Sequence, residues 1–100
     1  MTILEKIIAH KKTEVFNARQ STTISELENS PMFSRTCLSL KNNLLNSESG
    51  IISEFKRKSP SLGWIHEHAD VVNVTAGYSA AGASGISILT DSEFFGGATQ

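Results

Sequence analysis

The sequence predicts an α/β protein in which a helical N-terminal region precedes a strand–helix–strand unit. Three observations lead to this fold class. Apolar residues recur at helical spacing before residue 46, residues 50–56 and 84–90 are short, apolar segments of β-favouring residues, and one helical segment lies between these two. A helix between two apolar strands indicates a parallel pair joined by a right-handed crossover.

The N-terminal region is predicted to contain three helices. Thr2 and Glu5 have the spacing of a capping box, and apolar residues then recur on one face until about residue 19. The same polar spacing at residues 23–26 begins a second, short helix. The leucine-rich segment 38–45 indicates a third helix.

The remaining segments are predicted from their turn and cap residues. Residues 57–69 are polar and contain Pro and Gly, so they predict a long loop, and long ordered loops are often functional. Asp70 is a suitable N-cap for the helix between the strands, and Gly82 stands where a glycine commonly ends a helix. Residues 91–100 predict a second loop.

The composition is that of an ordinary globular domain, with 39% hydrophobic and 19% charged residues, which argues against disorder. The net charge is −1, so no overall field attracts nucleic acid or an anionic membrane. Cys37 is the single cysteine and cannot form an internal disulfide, which fits a reducing compartment. Because Glu5 and Lys6 interrupt the apolar N-terminus, we expect no signal peptide or membrane span, and hence a soluble cytoplasmic protein.

A carboxylate and an amine lie at the end of the first predicted strand. Side chains alternate along a strand, so Glu54 and Lys56 face the same way, roughly 6–7 Å apart along the chain. Catalytic groups of α/β barrels occupy this position, and the two side chains together could act as an acid/base pair. The alternative interpretation is a structural ion pair on the protein surface.

Two longer motifs around these residues resemble one known family. "IISEFKRKSPSLGWI", residues 51–65, is similar to the first barrel strand and loop of indole-3-glycerol phosphate synthases, approximately I-A-E-[hydrophobic]-K-R-x-S-P-S-x-G. "GYSAAGASGISILTDSEFFGG", residues 77–97, resembles that family's next helix end, second strand and loop. The clear resemblance covers residues 51–97, and Ser53 departs from the alanine usual in the family.

The resemblance implies a (β/α)₈ barrel with an N-terminal helical extension. The implied reaction converts 1-(2-carboxyphenylamino)-1-deoxyribulose 5-phosphate to indole-3-glycerol phosphate, with release of carbon dioxide and water, in tryptophan biosynthesis. The resemblance therefore implies a carboxy-lyase that uses no metal and no organic cofactor. The expected partner is a phosphorylated small molecule rather than nucleic acid or a membrane, and other enzymes of the tryptophan pathway are a further candidate class.

Four positions carry over from the family motif to this sequence. Glu54 and Lys56 match the catalytic Glu and Lys of the first barrel strand, with Lys56 also near the substrate phosphate and carboxylate. Ser59 matches the serine of the Ser-Pro-Ser turn near the ligand. Phe95 matches an aromatic residue that lines the pocket for the anthranilate ring.

The length departs from the family pattern, because a barrel of this type takes about 250 residues. We therefore expect a truncated barrel, with the helical extension in residues 1–49 and the first two strands and first helix in residues 50–100. The family's third-strand catalytic lysine, its later glutamate and its phosphate-binding loops are absent, so this chain alone is expected to be inactive.

Two alternatives to the synthase remain open. One is a non-catalytic folding or association fragment, since a two-stranded parallel pair has exposed edges. The other is a different barrel enzyme that acts on a ribulose-type phosphate, such as the isomerase of the preceding step, although the motif at residues 54–61 argues against that enzyme.

Three weaker motifs have simpler explanations. The basic residues 56–58 are too few to predict a nucleic-acid surface in a slightly acidic chain. Residues 66–70 contain two histidines and two carboxylates, but their spacing fits no familiar metal site and predicts a solvated loop. Gly96 and Gly97 lack the Lys-Ser/Thr of a phosphate-binding loop and predict a tight turn.

Overall fold

The computed structural model of the chain describes residues 1–99, which separate into two compact units, Met1–Leu38 and a second that begins at Ser39. The first unit contains α1 (Ile3–Ser21) and α2 (Ile24–Glu28). The Thr2 hydroxyl accepts a hydrogen bond from the Glu5 amide at 3.1 Å, and the Thr2 amide donates to the Glu5 carboxylate at 2.7 Å. This capping box confirms the predicted start of the first helix, which ends two residues later than predicted.

The second unit contains the predicted strand–helix–strand. Its elements in chain order are α3 (Leu40–Leu45), β1 (Ile52–Phe55), β2 (Lys58–Ser59), β3 (Gly63–Trp64), α4 (Val71–Ala80), β4 (Gly85–Ile88) and α5 (Ser92–Phe95). Strands β1 and β4 pair in parallel, with Glu54 opposite Ser87 and Phe55 opposite Ile88. The parallel pairing predicted from the sequence is therefore confirmed.

Two predicted loops contain regular structure instead. The segment 57–69 forms a short antiparallel hairpin of β2 and β3, because the Ser59 hydroxyl accepts from the Leu62 amide at 3.1 Å and Gly63 adopts a φ of 66°. The segment 91–99 contains α5, which Asp91 caps by accepting from the Phe94 amide at 2.7 Å. Gln100, the last residue of the second predicted loop, lies outside the described residues.

The two faces of the parallel pair have different environments. Phe55 is 6% exposed and is the buried hydrophobic residue of residues 1–99, so the small core lies on its face. On the opposite face, Leu40 of α3 lies against Gly85, where an added Cβ would be 3.8 Å from its Cγ. Helix α3 thus covers the amino-terminal end of that face, while at its carboxyl end Glu54 is exposed and Ser87 is half-buried.

Candidate active site

Glu54 and Lys56 form an ion pair at the carboxyl end of β1. The Lys56 Nζ lies 3.6 Å from Glu54 Oε1, and the two side chains are 35% and 47% exposed, respectively. An ion pair this accessible to water contributes little to stability. The structure thus brings together the two residues predicted as an acid/base pair, in a position that a small solute can reach.

Ser87 is a third member of this cluster. Its hydroxyl donates to Glu54 Oε2 at 3.1 Å from the directly opposite position on β4. Ser87 lies in the strand predicted at residues 84–90, but the sequence pattern indicates no role for its side chain. If the two predicted strands are aligned in parallel, side-chain alternation places Ser87 on the same face as Glu54, and this alignment could have identified it.

The backbone beneath the cluster is held by the crossover helix. The Tyr78 hydroxyl of α4 donates to the carbonyl oxygen of Glu54 at 3.1 Å. The Leu89 amide donates to the Phe55 carbonyl at 3.1 Å and continues the strand pairing beyond Ile88. These bonds fix the main chain from which the Glu54 side chain projects.

Side-chain contacts connect the loop that follows β1 to the loop that follows β4. The Arg57 guanidinium donates to the Gly96 carbonyl, with Nε at 2.9 Å, and to the Glu67 carbonyl at 3.1 Å. The Trp64 ring lies 5.9 Å from the Arg57 guanidinium and 5.3 Å from the Lys58 ammonium, within the range of cation–π interactions. Both basic side chains thus make contacts within the protein rather than forming a free basic surface.

Ser59 and Phe95 lie in these two joined loops. Ser59 is 8% exposed and uses its hydroxyl within the hairpin, where it accepts from the Leu62 amide. Phe95 is the last residue of α5 and is half-buried. Strand β2 contacts α5, so the structure brings the loop of Ser59 and the loop of Phe95 together.

The weaker motifs have structural roles. Asp70 caps α4 by accepting from the Asn73 amide at 2.9 Å, and within residues 1–99 the segment 66–70 forms no metal-ligand group. Gly96 ends α5 with a φ of 63°, and the Gly97 amide donates to the Asp91 carbonyl at 2.8 Å. The two glycines form a tight turn, as predicted. No helix in the described part of the chain has the length and apolarity needed to cross a bilayer.

Comparison with known proteins identifies the same family that the two sequence motifs resemble. The indole-3-glycerol phosphate synthase family matches residues 4–100. The indole-3-glycerol phosphate synthase of Bacteroides thetaiotaomicron is 47% identical over 98 residues, which cover 98% of this chain and 38% of that protein. The synthase of the same name from Acaryochloris marina is 40% identical over 97 residues, covering 95% of this chain and 32% of that protein.

A third similar protein is also an indole-3-glycerol phosphate synthase. The indole-3-glycerol phosphate synthase of Ruminiclostridium cellulolyticum is 35% identical over 100 residues, covering 98% of this chain and 38% of its own length. The chain therefore spans less than two fifths of the length of these curated relatives. Since the family match extends over nearly all of the sequence, the chain belongs to the indole-3-glycerol phosphate synthase family.

Proposed function

We propose that residues 50–100 supply the first two strands and first helix of a (β/α)₈ barrel, and that residues 1–49 are its helical extension. The complete protein would act in tryptophan biosynthesis as an indole-3-glycerol phosphate synthase. The observation that carries this proposal is the Glu54 and Lys56 pair on the open face at the carboxyl end of β1. In barrel enzymes the active site lies at the carboxyl ends of the strands.

The proposed reaction has three steps that need acid and base groups. Ring closure needs an acid to protonate the ketone oxygen as the aryl carbon attacks, and decarboxylation then restores the aromatic ring. Dehydration needs an acid for the departing hydroxyl and a base for the proton that is lost. Lys56 is proposed as the proton donor in dehydration and Glu54 as its partner and base.

The other two residues are proposed to bind the substrate. An ammonium group at position 56 suits the substrate phosphate and carboxylate, which are both anionic. Ser59 is proposed to lie near the ligand, and Phe95 to pack against the anthranilate ring. Their support is the contact between β2 and α5, which holds the two loops together beside the strands.

The proposal is tested by assaying a synthase of the relatives' full length that carries residues 1–100 at its N-terminus. Incubation with 1-(2-carboxyphenylamino)-1-deoxyribulose 5-phosphate should yield indole-3-glycerol phosphate and one equivalent of carbon dioxide. The indole product can be followed by its fluorescence. A folded protein that forms no indole product, or that only isomerises a ribulose-type phosphate, would refute the synthase assignment.

A second candidate is a non-catalytic association role for the 100-residue polypeptide. The sheet of β1 and β4 has two strands, so within the described residues each strand has one unpaired edge, and Phe55 is the buried hydrophobic residue. Exposed strand edges favour association with other chains. Analytical ultracentrifugation should then show species larger than a monomer, whereas a monomer with well-dispersed amide resonances would exclude this role.

A further inference from the structure

We propose that Ser87 is a positioning residue that orients the Glu54 carboxylate for proton transfer. The proposal rests on the proposed function, since it takes Glu54 as the base of a synthase. It adds a residue from the second parallel strand, β4, to a pair at the carboxyl end of β1. Three features of the structure support it.

The first feature is that the two Glu54 oxygens have different partners. The Ser87 hydroxyl donates to Oε2 at 3.1 Å, and the Lys56 ammonium lies 3.6 Å from Oε1. The terminal torsion of a glutamate has only a broad intrinsic preference. The direction of the carboxylate plane is therefore set by its partners, and of these two Ser87 is the one within hydrogen-bond distance, at the long end of the O–H···O range.

The second feature is the rigid placement of Ser87 relative to Glu54. The two residues are directly opposite in the parallel register of β1 and β4. The pairing continues on both sides, because the Ser84 amide donates to the Ile51 carbonyl at 2.8 Å and the Leu89 amide donates to the Phe55 carbonyl at 3.1 Å. Because both main chains are fixed, a short serine side chain loses little conformational entropy when it hydrogen-bonds to the carboxylate.

The third feature is that Lys56 is a poor substitute for this role. Its ammonium ends a long flexible side chain that is 35% exposed, and it is itself proposed to contact substrate and donate a proton. A long, flexible ammonium that also serves the substrate holds the carboxylate less firmly than a short hydroxyl on the neighbouring strand does.

The inference predicts a particular kinetic pattern in a full-length synthase carrying residues 1–100. Ser87→Ala should lower kcat by between about tenfold and a hundredfold, less than the loss expected from removing a base outright. KM should change by less than about twofold, because the base acts in the chemical step rather than in ground-state binding. Ser87→Thr retains a hydroxyl and suits a strand, so it should recover most of the activity.

Two controls separate positioning from a structural effect. Ser53→Ala removes a hydroxyl from the opposite face of the same sheet and should leave kcat unchanged. In a Glu54→Gln background, Ser87→Ala should reduce the residual rate by less than about twofold, because the two substitutions disrupt the same interaction. An equal loss in both backgrounds, or an unchanged kcat for Ser87→Ala alone, would overturn the proposal.

A measurement that needs no turnover distinguishes this proposal from the proposed function. If the parent protein forms no indole product, the synthase assignment fails, but the Ser87 contact can still be observed. The ¹³C resonance of the Glu54 carboxylate should shift in Ser87→Ala and return in Ser87→Thr, while Ser53→Ala leaves it in place. A resonance that is identical in all four proteins would exclude the contact and with it the positioning role.

Discussion

At the scale of single residues, the proposed chemistry depends on the Glu54 carboxylate and on the residues that contact Glu54. Glu54 is approached by Lys56, by the Ser87 hydroxyl and, at its main-chain carbonyl, by the Tyr78 hydroxyl. Each of these contacts comes from a different position in the strand–helix–strand. The Tyr78 contact supports the main chain of Glu54, while the Ser87 hydroxyl is proposed to orient its carboxylate for proton transfer.

Lys56 provides the most direct test of a proposed catalytic residue. In a full-length synthase carrying residues 1–100, Lys56→Ala should lower kcat by about 10²-fold or more, because the proposed proton donor and anion-binding charge are both lost. Lys41→Ala is the matched control, since Lys41 is an exposed lysine on α3. Steady-state kinetics on proteins with the same far-UV circular dichroism spectrum would measure this. Equal turnover in the two variants would remove Lys56 from the active site.

Tyr78 should affect stability more than chemistry. Tyr78→Phe deletes the hydroxyl that donates to the Glu54 carbonyl and should lower the free energy of unfolding by about 1 kcal/mol. Urea denaturation of the full-length protein would measure the change. Ser79→Ala, on an exposed position of the same helix, is the control. If both variants unfold at the same urea concentration as the parent, the Tyr78 contact does not support β1.

At the scale of elements, the hairpin and α5 are linked through Trp64 and Gly96. A Cβ added at Gly96 would lie 2.7 Å from the Trp64 ring, so Gly96→Ala should displace the indole. Trp64 is the only tryptophan of the sequence, and its fluorescence should become more accessible to acrylamide quenching in this variant.

Gly82→Ala separates this steric effect from backbone strain. Gly82 also has a positive φ, of 93°, but an added Cβ would meet none of the described heavy atoms within 4 Å. Both variants therefore carry the strain, while only Gly96→Ala places an atom against the indole. Equal quenching constants for the two variants would show that Trp64 does not pack on α5.

The elements that sequence reasoning found are those that local interactions determine. The capping box of Thr2 and Glu5, the Asp70 cap and the alternation in β1 all depend on residues a few positions apart. The hairpin in residues 57–69 has a local turn, in which the Ser59 hydroxyl accepts from the Leu62 amide, but it is also held to the distant segment 91–97 through Arg57. The Arg57 contact joins residues 39 positions apart, which no local pattern encodes.

The candidate site was predictable to a similar extent. Glu54 lies on β1 and Lys56 directly follows its last residue, so their position on one side followed from the strand periodicity predicted for residues 50–56. Ser87 reaches Glu54 across 33 positions and only in one register, so its role became visible when the pairing of β1 and β4 was known. The roles of Ser59 and Phe95 come from the family resemblance and remain predictions.

At the scale of the whole molecule, the chain presents a small core and a large apolar surface. Side chains such as Ile52, Ile86 and Ile88 of the parallel strands are 51%, 38% and 47% exposed. The curated relatives are more than twice as long as the matched region, and the proposed barrel would cover these faces with its remaining strands and helices. The open carboxyl end of β1 and β4 would then line the mouth of the barrel.

A crystal structure of the full-length synthase with indole-3-glycerol phosphate bound tests this account most directly. We predict a closed barrel with the ligand at the carboxyl ends of β1 and β4, and the side chains of Glu54 and Lys56 within hydrogen-bond reach of it, about 2.6–3.2 Å. The Ser87 hydroxyl should still donate to Glu54. A ligand bound at the opposite end of the barrel, or with Glu54 and Lys56 turned away from it on the outer surface, would contradict the proposed active site.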